Sequence, residues 1–565
     1  MLSAIAAPVR IALVGDSTVN DGGGWGPGFR ASFSRNVTVD NFALNGRSSN
    51  SFREEGHWEQ VLASKPNHVL IQFGHNDNPG KGPKLETDPK TTYRQNMIRY
   101  IEDVKASGAV PVLVTSIVRR TFDGPFHLKR DALVPFVEEL RKLAADKQVA
   151  LIDLYASTLA QAEKLGQAQA DSLGRKDEQG KQDNTHLGPR GQFEIGQMAA
   201  REFVKFAPAM QSEWHELVSW SNAMRQPKQW YGSAEAVRLA ESLLLYQFPN
   251  GGWDKNIEMS VAPSAKEMEK IKHEGHTTIN NSATYTQMNY LAQVFTATSE
   301  PRFKEAFQKG LGYLLTAQYA NGGWPQFYPL RKGYYTHITY NDDAMVGVLD
   351  TLRSIAERKA EYAFVSEQDR KRADAAVEKG IECILKTQVL MNGKLAVWCA
   401  QHDEVTLAPT KARSYELPSL SGSESVGIVE FLMGIAKPSA EVKASIEAAV
   451  QWFEASKIKG IRLERKPIPD SPKGYDQVVV EDAGAPPLWA RFYDLQTNKP
   501  MFCGRDGVVK DTIAGIEYER RNGYRWYVDR PAKLLNREYP EWRKQQQWCA
   551  LSGEWKASLA VALRK

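Results

Sequence analysis

The stretch QYANGGW at residues 318–324 repeats QFPNGGW at residues 247–253, and a looser copy, QVLMNGKLAVW, occupies residues 388–398. The three glutamines, Gln247, Gln318 and Gln388, are spaced 71 and 70 residues apart. A fixed period of this size marks a structural unit that is repeated and stacked on its neighbours. The repeat therefore predicts how the second half of the chain folds.

Amphipathic helices are predicted before the first two copies, in SAEAVRLAESLLL at 233–245 and EPRFKEAFQKGLGYLL at 300–315. Their apolar residues recur at intervals of three and four. The Gly-Gly pair then ends the helix in a tight turn, and the Trp supplies a large apolar face for packing. Such units stack into an open solenoid or close into an α/α toroid. With three or four units, an all-α toroid is the prediction, and the Gln, Gly and Trp residues are interpreted as scaffold.

The first half of the chain has a different rhythm, in which short apolar runs alternate with helical stretches. The runs lie at 10–16, 37–44, 68–74, 109–118 and 149–154. This alternation predicts a doubly wound, flavodoxin-like α/β/α domain with a parallel sheet, in which ligands bind where the strands end. The pattern stops near residue 210, so the predicted domains are 1–209 and 210–565.

Polar motifs follow the first three runs, and a fourth motif lies near residue 185: GDST (15–18), LNGRS (44–48), GHND (74–77) and DNTH (183–186). In this order they resemble the GDSL or SGNH hydrolases over residues 8–207. GDST, the early GGGWGP and the late DxxH are most similar to the rhamnogalacturonan acetylesterases of carbohydrate esterase family 12.

Acyl transfer needs a nucleophile, a base, a group that orients the base, and donors for the developing oxyanion. Ser17 is the predicted nucleophile and His186 the base. Asp183, three residues before His186, is predicted to hold its other ring nitrogen. The N–H groups of Ser17 and Gly46 and the side-chain amide of Asn76 would form the oxyanion hole. No cofactor is expected, and the base is expected on a loop before a final helix.

Between and after the repeats lie strings rich in His, Asp, Arg and aromatic residues. They include TTINNSATYTQ (277–287), NGGWPQFYPL (321–330), YYTHITYNDDAM (334–345), VWCAQHDEVTLAPTKARSYELPSLSGSES (397–425), LWARFYDL (488–495) and FCGRDG (502–507). In this order they resemble the pectate lyases of polysaccharide lyase family 10 over residues 220–530. The resemblance implies an (α/α)3 toroid and Ca²⁺-assisted β-elimination.

Carried over position by position, the resemblance implies that Asn280, Asn281 and Asp342 form the calcium site and that Arg505 is the catalytic base. It further implies that Lys255, Arg413 and Arg491 bind uronate carboxylates, for which the planar fork of arginine is suited. Arginine is a demanding choice of base, because its reference pKa lies above about 12.

One position departs from the family pattern. The residue that matches Asn280 is typically an Asp associated with calcium, whereas this chain has an amide there. An amide keeps the oxygen but loses the negative charge, so weaker calcium binding and slower turnover are expected.

Bulk composition narrows the function classes. The net charge of +5 is small for 565 residues, and its scattered distribution does not indicate nucleic-acid binding. Cys383, Cys399, Cys503 and Cys549 lack metal-site spacing and leave open a single disulfide. No apolar run reaches the roughly 20 residues of a membrane span. The N-terminus MLSAIAAPVR lacks a signal peptide, which is interpreted as removed from a secreted or periplasmic protein.

Together these features predict a bifunctional enzyme that removes acetyl groups from pectin and cleaves polygalacturonate. Three alternatives remain open. In the first, the second half of the chain is a catalytically weak galacturonan-binding module. In the second, the first half deacylates a lipid or another sugar. The third is a terpene cyclase-like helical domain, because those barrels also carry a Gln-x-x-x-Gly-x-Trp repeat.

Overall fold

The chain forms two compact units in a computed structural model, which describes residues 9–177, 179–273 and 276–547. Among these residues the first unit comprises 9–246, 257–273 and 468–474, and the second comprises 247–256, 276–467 and 475–547. The predicted domain boundary near residue 210 stays a prediction.

The first unit is built on a five-stranded parallel sheet with the order β2-β1-β3-β4-β5. Its strands are β1 (Val9–Gly15), β2 (Val37–Asn41), β3 (His68–Gln72), β4 (Val110–Val114) and β5 (Ala150–Ile152). Its helices are α1 (Gly26–Ala31), α2 (Ser51–Glu54), α3 (His57–Ala63), α4 (Arg94–Ala106), α5 (Val134–Asp146), α6 (Leu154–Leu165), α7 (Gln167–Ala170), α8 (Pro189–Phe206), α9 (Trp220–Ala223), α10 (Ala234–Leu245) and α11 (Ala265–His273). The parallel sheet and its strand positions confirm the prediction for this half.

Both faces of the sheet are covered, as the continuous apolar strands require. Ile11 and Leu13 of β1 belong to an apolar cluster with α1 and α8, whereas Ala12 and Val14 belong to a second cluster with α3, α4 and α5. Successive residues of a strand point to opposite faces, so β1 contributes side chains to both apolar clusters.

The stretch that carries His186 is a strand, not the predicted loop. Residues Gln182–Leu187 form β7, which pairs antiparallel with β6 (Gly174–Lys176) and runs directly into α8. Its polar composition concealed this strand, because it has no apolar alternation from which a half-buried strand is recognised.

Helices of the second unit pack in consecutive pairs. They are α12 (Tyr285–Thr298), α13 (Pro301–Ala317), α14 (Ala344–Ala356), α15 (Glu367–Thr387), α16 (Glu424–Met433), α17 (Ala440–Ala455), α18 (Tyr518–Gly523) and α19 (Arg530–Lys533). Helices α12, α14 and α16 contact one another in succession, and so do α13, α15 and α17. The helical repeat predicted from the Gln spacing thus has two rows of helices.

The second unit is not all-α, so that part of the prediction is wrong. It contains the strands β8 (Ile338–Thr339), β9 (Leu390–Met391), β10 (Lys394–Leu395), β11 (Gln401–His402), β12 (Leu420–Ser421), β13 (Ile461–Pro467), β14 (Tyr475–Glu481), β15 (Trp489–Ala490), β16 (Phe492–Tyr493), β17 (Phe502–Cys503), β18 (Val509–Lys510) and β19 (Tyr527–Val528). Apart from the hairpin of β13 and β14, these are two-residue pairings between loops. Such short pairings have no sequence period to reveal them.

The three repeated glutamines make the same pair of hydrogen bonds. The side-chain amide of Gln247 donates to Gly251 O and to Ala306 O, both at 2.9 Å. Gln318 donates to Gly322 O at 3.1 Å and Ala376 O at 2.9 Å, and Gln388 donates to Ala396 O at 2.8 Å and Ser445 O at 3.0 Å. Each carboxamide therefore joins its own turn to a helix of the following repeat.

The Gly-Gly turns are fixed by close backbone approach. Gly251 and Gly322 have φ of +92° and +91°, and an added Cβ would lie 2.2 Å from Lys309 O and 2.0 Å from Lys379 O. Only glycine suits such a position. The tryptophans that follow, Trp253 and Trp324, are fully buried. The repeat is therefore scaffold, as predicted.

Cys383, Cys399 and Cys503 are buried free thiols, and Cys549 lies outside the described residues. Within the described ranges, the structure has no helix that is both long and apolar enough to cross a membrane.

Replacing Gln318 by Leu is expected to lower the free energy of unfolding by about 2 kcal/mol, because two backbone carbonyls lose their donor. Urea unfolding followed by circular dichroism measures this change. Gln368→Leu, at an exposed position of α15, is the matched control. Equal stability of the two variants would contradict a stitching role for Gln318.

Candidate functional sites

Three polar loops meet at one edge of the sheet in the first unit. They follow β1, β2 and β3, which are adjacent in the strand order. The amide of Leu44 donates to Gly15 O at 3.0 Å, and the side chains of Asn20 and Asn45 are hydrogen-bonded at 2.6 Å. These bonds join the loops with Ser17 and Gly46, and a bond from the Asn76 side chain to Arg47 O adds the third loop, as expected for adjacent parallel strands.

Ser17, His186 and Asp183 form a continuous hydrogen-bonded chain. His186 Nε2 lies 2.9 Å from Ser17 Oγ, and His186 Nδ1 lies 2.8 Å from Asp183 Oδ2. With a proton on Nδ1, the imidazole donates to the carboxylate and accepts from the serine hydroxyl. This is the arrangement needed for general-base activation of a serine.

Asp183 is held in its ionised form. Burial raises its pKa, but the hydrogen bonds from the backbone N–H groups of His186 and Thr185 and from the His186 ring outweigh burial and keep the pKa well below the usual range. The same two N–H bonds, both at 2.9 Å, fix the carboxylate against the base.

Two of the predicted oxyanion donors, Gly46 and Asn76, lie at a left-handed turn. Gly46 has φ of +74° and is exposed at the end of the loop after β2. The side-chain amide of Asn76 donates to Arg47 O at 3.1 Å, so it lies against the same loop. Asp16 accepts from the N–H and hydroxyl of Thr18 and stabilises the turn that presents Ser17.

Arg120 was not foreseen from the sequence. It is 3% exposed, and its Nη2 donates to Asp183 O at 3.0 Å and to His186 O at 2.7 Å, while its backbone N–H donates to Asn184 O at 2.8 Å. It makes no ion pair with the described residues, and burial lowers its pKa to about 10. A Cβ on Gly174 would lie 2.5 Å from Nη2, so β6 leaves room for this guanidinium. Arg120 therefore holds the turn from Asp183 to His186.

In the second unit, two turns of similar shape contact each other, at residues 280–282 and 341–343. Asn281 and Asp342 occupy the left-handed region at φ of +50° and +52°. The repeat explains their match. Thr278, Thr339 and Ser421 each donate a backbone hydrogen bond to the repeat tryptophan carbonyl, and the residues three positions later are Asn281, Asp342 and Glu424.

Arg491 lies beside this pair of turns and is 8% exposed. Its Nη2 is 3.2 Å from Asn341 Oδ1 and 3.5 Å from Asp342 Oδ1, and it makes a close ion pair with buried Glu424. Burial lowers the pKa of Arg491, but the negative charges of Glu424, Tyr524, Asp342 and Glu416 together outweigh burial and raise it. No role was assigned to Glu424 from the sequence. Its position in the repeat, equivalent to those of Asn281 and Asp342, is the signal that could have identified it.

Arg413 and Arg505 lie over the ring of Tyr415, at 4.8 and 5.9 Å from its centroid. Arg413 also lies 5.8 Å from the Tyr524 ring, over which Arg491 lies at 4.8 Å. The three predicted arginines are thus grouped around two tyrosines.

Arg505 is exposed, and its guanidinium is paired with Glu519 at 2.9 Å. The hydrogen bond to Glu519 raises the pKa of Arg505 above its usual value. In this geometry Arg505 keeps its proton, and its role as base stays a prediction that requires the pair to open.

Lys255 is half-buried, with Nζ 5.4 Å from the centroid of the Phe327 ring. Burial lowers its pKa, and the charges of Asp254 and Asp342 partly oppose this effect. The ammonium group therefore belongs to the same electrostatic environment as Asp342.

The side-chain oxygens predicted to bind calcium are the ligands that a hard cation prefers, and they leave room for substrate oxygens. Calcium takes six to eight oxygens, and Asn280, Asn281 and Asp342 supply one carboxylate and two amides. Asn280 Oδ1 is buried and has no hydrogen-bond partner among the described residues. This orphaned oxygen fits an ion, and the remaining positions would be filled by substrate carboxylates and water.

A separate group of metal-type ligands, His337, Asp403 and Glu404, has ligand atoms within 4.8 Å of one another. His337 Nδ1 lies 3.1 Å from Glu404 Oε2, and Asp403 caps the turn at Val405 and Thr406. These contacts account for the three side chains without an ion.

Two protein families match the chain, one in each half. The pectic acid lyase family matches residues 247–535, and the GDSL-like lipase/acylhydrolase family matches residues 13–192. The chain belongs to the pectic acid lyase family and carries a GDSL-like acylhydrolase domain ahead of the lyase domain.

Two relatives match the acylhydrolase domain. The rhamnogalacturonan acetylesterase RhgT of Bacillus subtilis (strain 168) is 34% identical over 210 residues, which cover 34% of this chain and 88% of that protein. The probable rhamnogalacturonan acetylesterase YesY of the same strain is 31% identical over 200 residues, with 34% and 91% covered. A mutant of the family 10 polysaccharide lyase from Cellvibrio cellulosa, solved with trigalacturonic acid, is 36% identical, with 57% of this chain and 98% of that chain covered at a TM-score of 0.48.

Replacing Arg120 by Met is expected to lower kcat of the acylhydrolase domain by about 100-fold with little change in KM, because a small displacement of His186 is costly. Arg120→Lys should recover part of the loss, since it keeps one donor. Hydrolysis of p-nitrophenyl acetate measures both constants. Arg130→Met, which changes an exposed arginine, is the control. An unchanged kcat in Arg120→Met would exclude a positioning role.

Proposed function

We propose that the chain is a bifunctional pectin-degrading enzyme, in which a serine acetylesterase removes acetyl groups and a calcium-dependent pectate lyase cleaves the deacetylated polygalacturonate. The hydrogen-bonded chain of Ser17, His186 and Asp183 carries the first activity. The grouping of Asp342 with Arg491 in a pectic acid lyase domain carries the second. Acetyl groups obstruct lyases, so the two activities act on one polymer in sequence.

In the esterase step, Ser17 Oγ attacks the acetyl carbonyl as its proton passes to His186 Nε2. Asp183 stabilises the imidazolium, and the N–H groups of Ser17 and Gly46 and the Asn76 amide stabilise the oxyanion. His186 then returns the proton to the leaving sugar hydroxyl. Water, activated by the same imidazole, hydrolyses the acetyl-enzyme and releases acetate.

A cavity of about 620 Å³ borders Asp183 and is lined by both basic and acidic side chains, so its charge does not by itself select the acyl acceptor. The relatives RhgT and YesY, described as acetylesterases of rhamnogalacturonan, support a pectic acyl acceptor over a lipid.

In the lyase step, the proton alpha to a uronate carboxylate is removed and the O4 sugar leaves. Calcium, when bound by Asn280, Asn281 and Asp342, would draw charge onto that carboxylate. Arg413, Arg491 and Lys255 hold uronate carboxylates in place. Arg505, once it has separated from Glu519 and released its own proton to solvent, takes the alpha proton, and the sugar O4 leaves as the double bond forms. The helices are proposed to close into an (α/α)3 toroid around this site.

The amide at Asn280 supports a second candidate, a lyase domain that binds galacturonan but cleaves it slowly. Retardation on a homogalacturonan gel without unsaturated product would favour this alternative. Both candidates place the enzyme where pectin is found, so a secreted or periplasmic location is part of the proposal.

Replacing Ser17 by Ala is expected to lower acetate release from acetylated pectin by at least about 1,000-fold, because the nucleophile is lost. Unsaturated product, followed by its ultraviolet absorbance on polygalacturonate, should be unchanged. Ser107→Ala, at an exposed position, is the matched control.

Chelation provides the reciprocal arm of this experiment. EDTA should stop formation of unsaturated product while acetate release continues. Loss of both activities in Ser17→Ala would contradict two independent sites, and acetate release from acetylated xylan but not from pectin would contradict the proposed substrate.

Replacing Asn280 by Asp is expected to tighten calcium binding by about tenfold, because a carboxylate replaces an orphaned buried amide oxygen. Calorimetric titration with Ca²⁺ measures the Kd, and product absorbance measures the accompanying gain in turnover. Asn392→Asp adds the same charge at an exposed turn and serves as the control. An unchanged Kd would show that residue 280 does not limit calcium binding.

A further inference from the structure

Two cations of the lyase domain share one aromatic ring. Lys255 Nζ lies 5.4 Å and the Arg331 guanidinium 5.5 Å from the centroid of the Phe327 ring. Arg331 also lies 4.4 Å from the Tyr335 ring, which packs edge-on against Phe327 at 5.2 Å. These residues, with Tyr334 tilted against Tyr335 at 4.1 Å between ring centroids, are called the Phe327 shelf.

The cations of the shelf have no hydrogen-bonded carboxylate partner among the described residues, although the charge of Asp254 acts on Lys255. Neither Lys255 nor Arg331 makes an ion pair or a side-chain hydrogen bond with the residues that the structure describes. The other arginines of the site are different, because Arg413, Arg491 and Arg505 pair with Glu416, Glu424 and Glu519. The donors of Arg331 are thus oriented by aromatic rings and are free for an anion.

The shelf is continuous with the proposed lyase site. The backbone N–H of Gln326 donates to Tyr335 O at 3.0 Å, which folds the loop after Trp324 back on itself. Two residues separate Tyr335 from β8, which leads into the turn with Asp342. The charges of Asp342 and Arg413 both act on Lys255, and Arg413 also acts on Tyr334.

The side chains of the shelf have the chemistry of a uronate subsite. Arg331 is exposed, and Tyr334 and Tyr335 are partly exposed, so all three are open to a ligand. A uronate residue offers a carboxylate for the cations and an apolar C–H face for an aromatic ring. A neutral sugar would gain the second contact only.

We propose that Arg331, with Lys255 and Tyr335, forms an additional subsite that binds the carboxylate of a galacturonate residue adjoining those at the reacting bond. The proposal rests on the proposed lyase function and extends it to Arg331, to which neither the sequence motifs nor the calcium site assigned a role. The Phe327 shelf thereby selects chains that carry free acids at a further position.

Arg331→Gln tests the subsite. It is expected to raise the Kd for hexagalacturonate and the KM for polygalacturonate by about tenfold, since a charge-assisted hydrogen bond is lost. The loss should fall on KM rather than kcat. Arg331→Lys should recover part of the affinity, and fully methyl-esterified hexagalacturonate should bind Arg331→Gln and the unaltered enzyme equally.

Lys332→Gln is the matched control, because it removes the same charge from the next exposed position of the loop. Its Kd should change by less than about twofold. Equal effects of Arg331→Gln and Lys332→Gln, or a loss confined to kcat, would overturn the subsite. If the unaltered enzyme cleaves polygalacturonate and Arg331→Gln is unimpaired, the subsite alone fails. If the unaltered enzyme neither binds nor cleaves it, the proposed lyase function fails as well.

Discussion

The carboxamide of the repeat glutamine is the constraint on which the lyase domain depends. Its two N–H groups bond to one carbonyl of its own turn and one of a helix in the next repeat, at Gln247, Gln318 and Gln388 alike. Because the carboxamide donates to two carbonyls at once, the distance between its turn and the helix of the next repeat can vary little. Each repeat therefore packs on the next one in the same way. In each repeat, the segment that follows the tryptophan then returns a backbone hydrogen bond to the tryptophan carbonyl. For that reason Asn281, Asp342 and Glu424 occupy equivalent positions in successive repeats.

Buried arginines organise both sites in opposite ways. Arg120 bonds to backbone carbonyls of the turn that holds Asp183 and His186, and the absence of a carboxylate partner among the described residues leaves its pKa lowered by burial. Arg491 is paired with Glu424 and reaches Asp342 from that fixed position. A buried charge is costly unless its donors are satisfied; Nε of both guanidiniums is buried without a hydrogen-bond partner among the described residues, so the Nη2 contacts hold each group in place. In the first case the catalytic turn is fixed, and in the second a proposed metal ligand.

Sequence reasoning reached the residues of the two sites unequally. Ser17, Asp183 and His186 follow motifs in a fixed order, and the structure brings all three within hydrogen-bond distance. The lyase residues were inferred from resemblance, and they are grouped, but their partners were not foreseen. Glu416, Glu424 and Glu519 decide how Arg413, Arg491 and Arg505 are oriented and charged. Arg413 and Glu416 are only three residues apart, but Arg491 and Glu424 are 67 apart and Arg505 and Glu519 are 14 apart, so tertiary contact alone reveals the last two pairings.

By itself the sequence determined the two-part architecture, the parallel sheet, the helical repeat and the order of the catalytic motifs, because strand alternation, helix periodicity and repeat spacing are local properties written along the chain. Tertiary structure alone decided that the DNTH stretch is a strand, that short strands join the loops of the helical domain, and that Arg120 bonds to the turn from Asp183 to His186. It also decided that Arg331 and Lys255 meet on Phe327. Each of these depends on backbone pairing or side-chain contact between segments of the folded chain, and such contacts leave no periodic trace in the residues that make them.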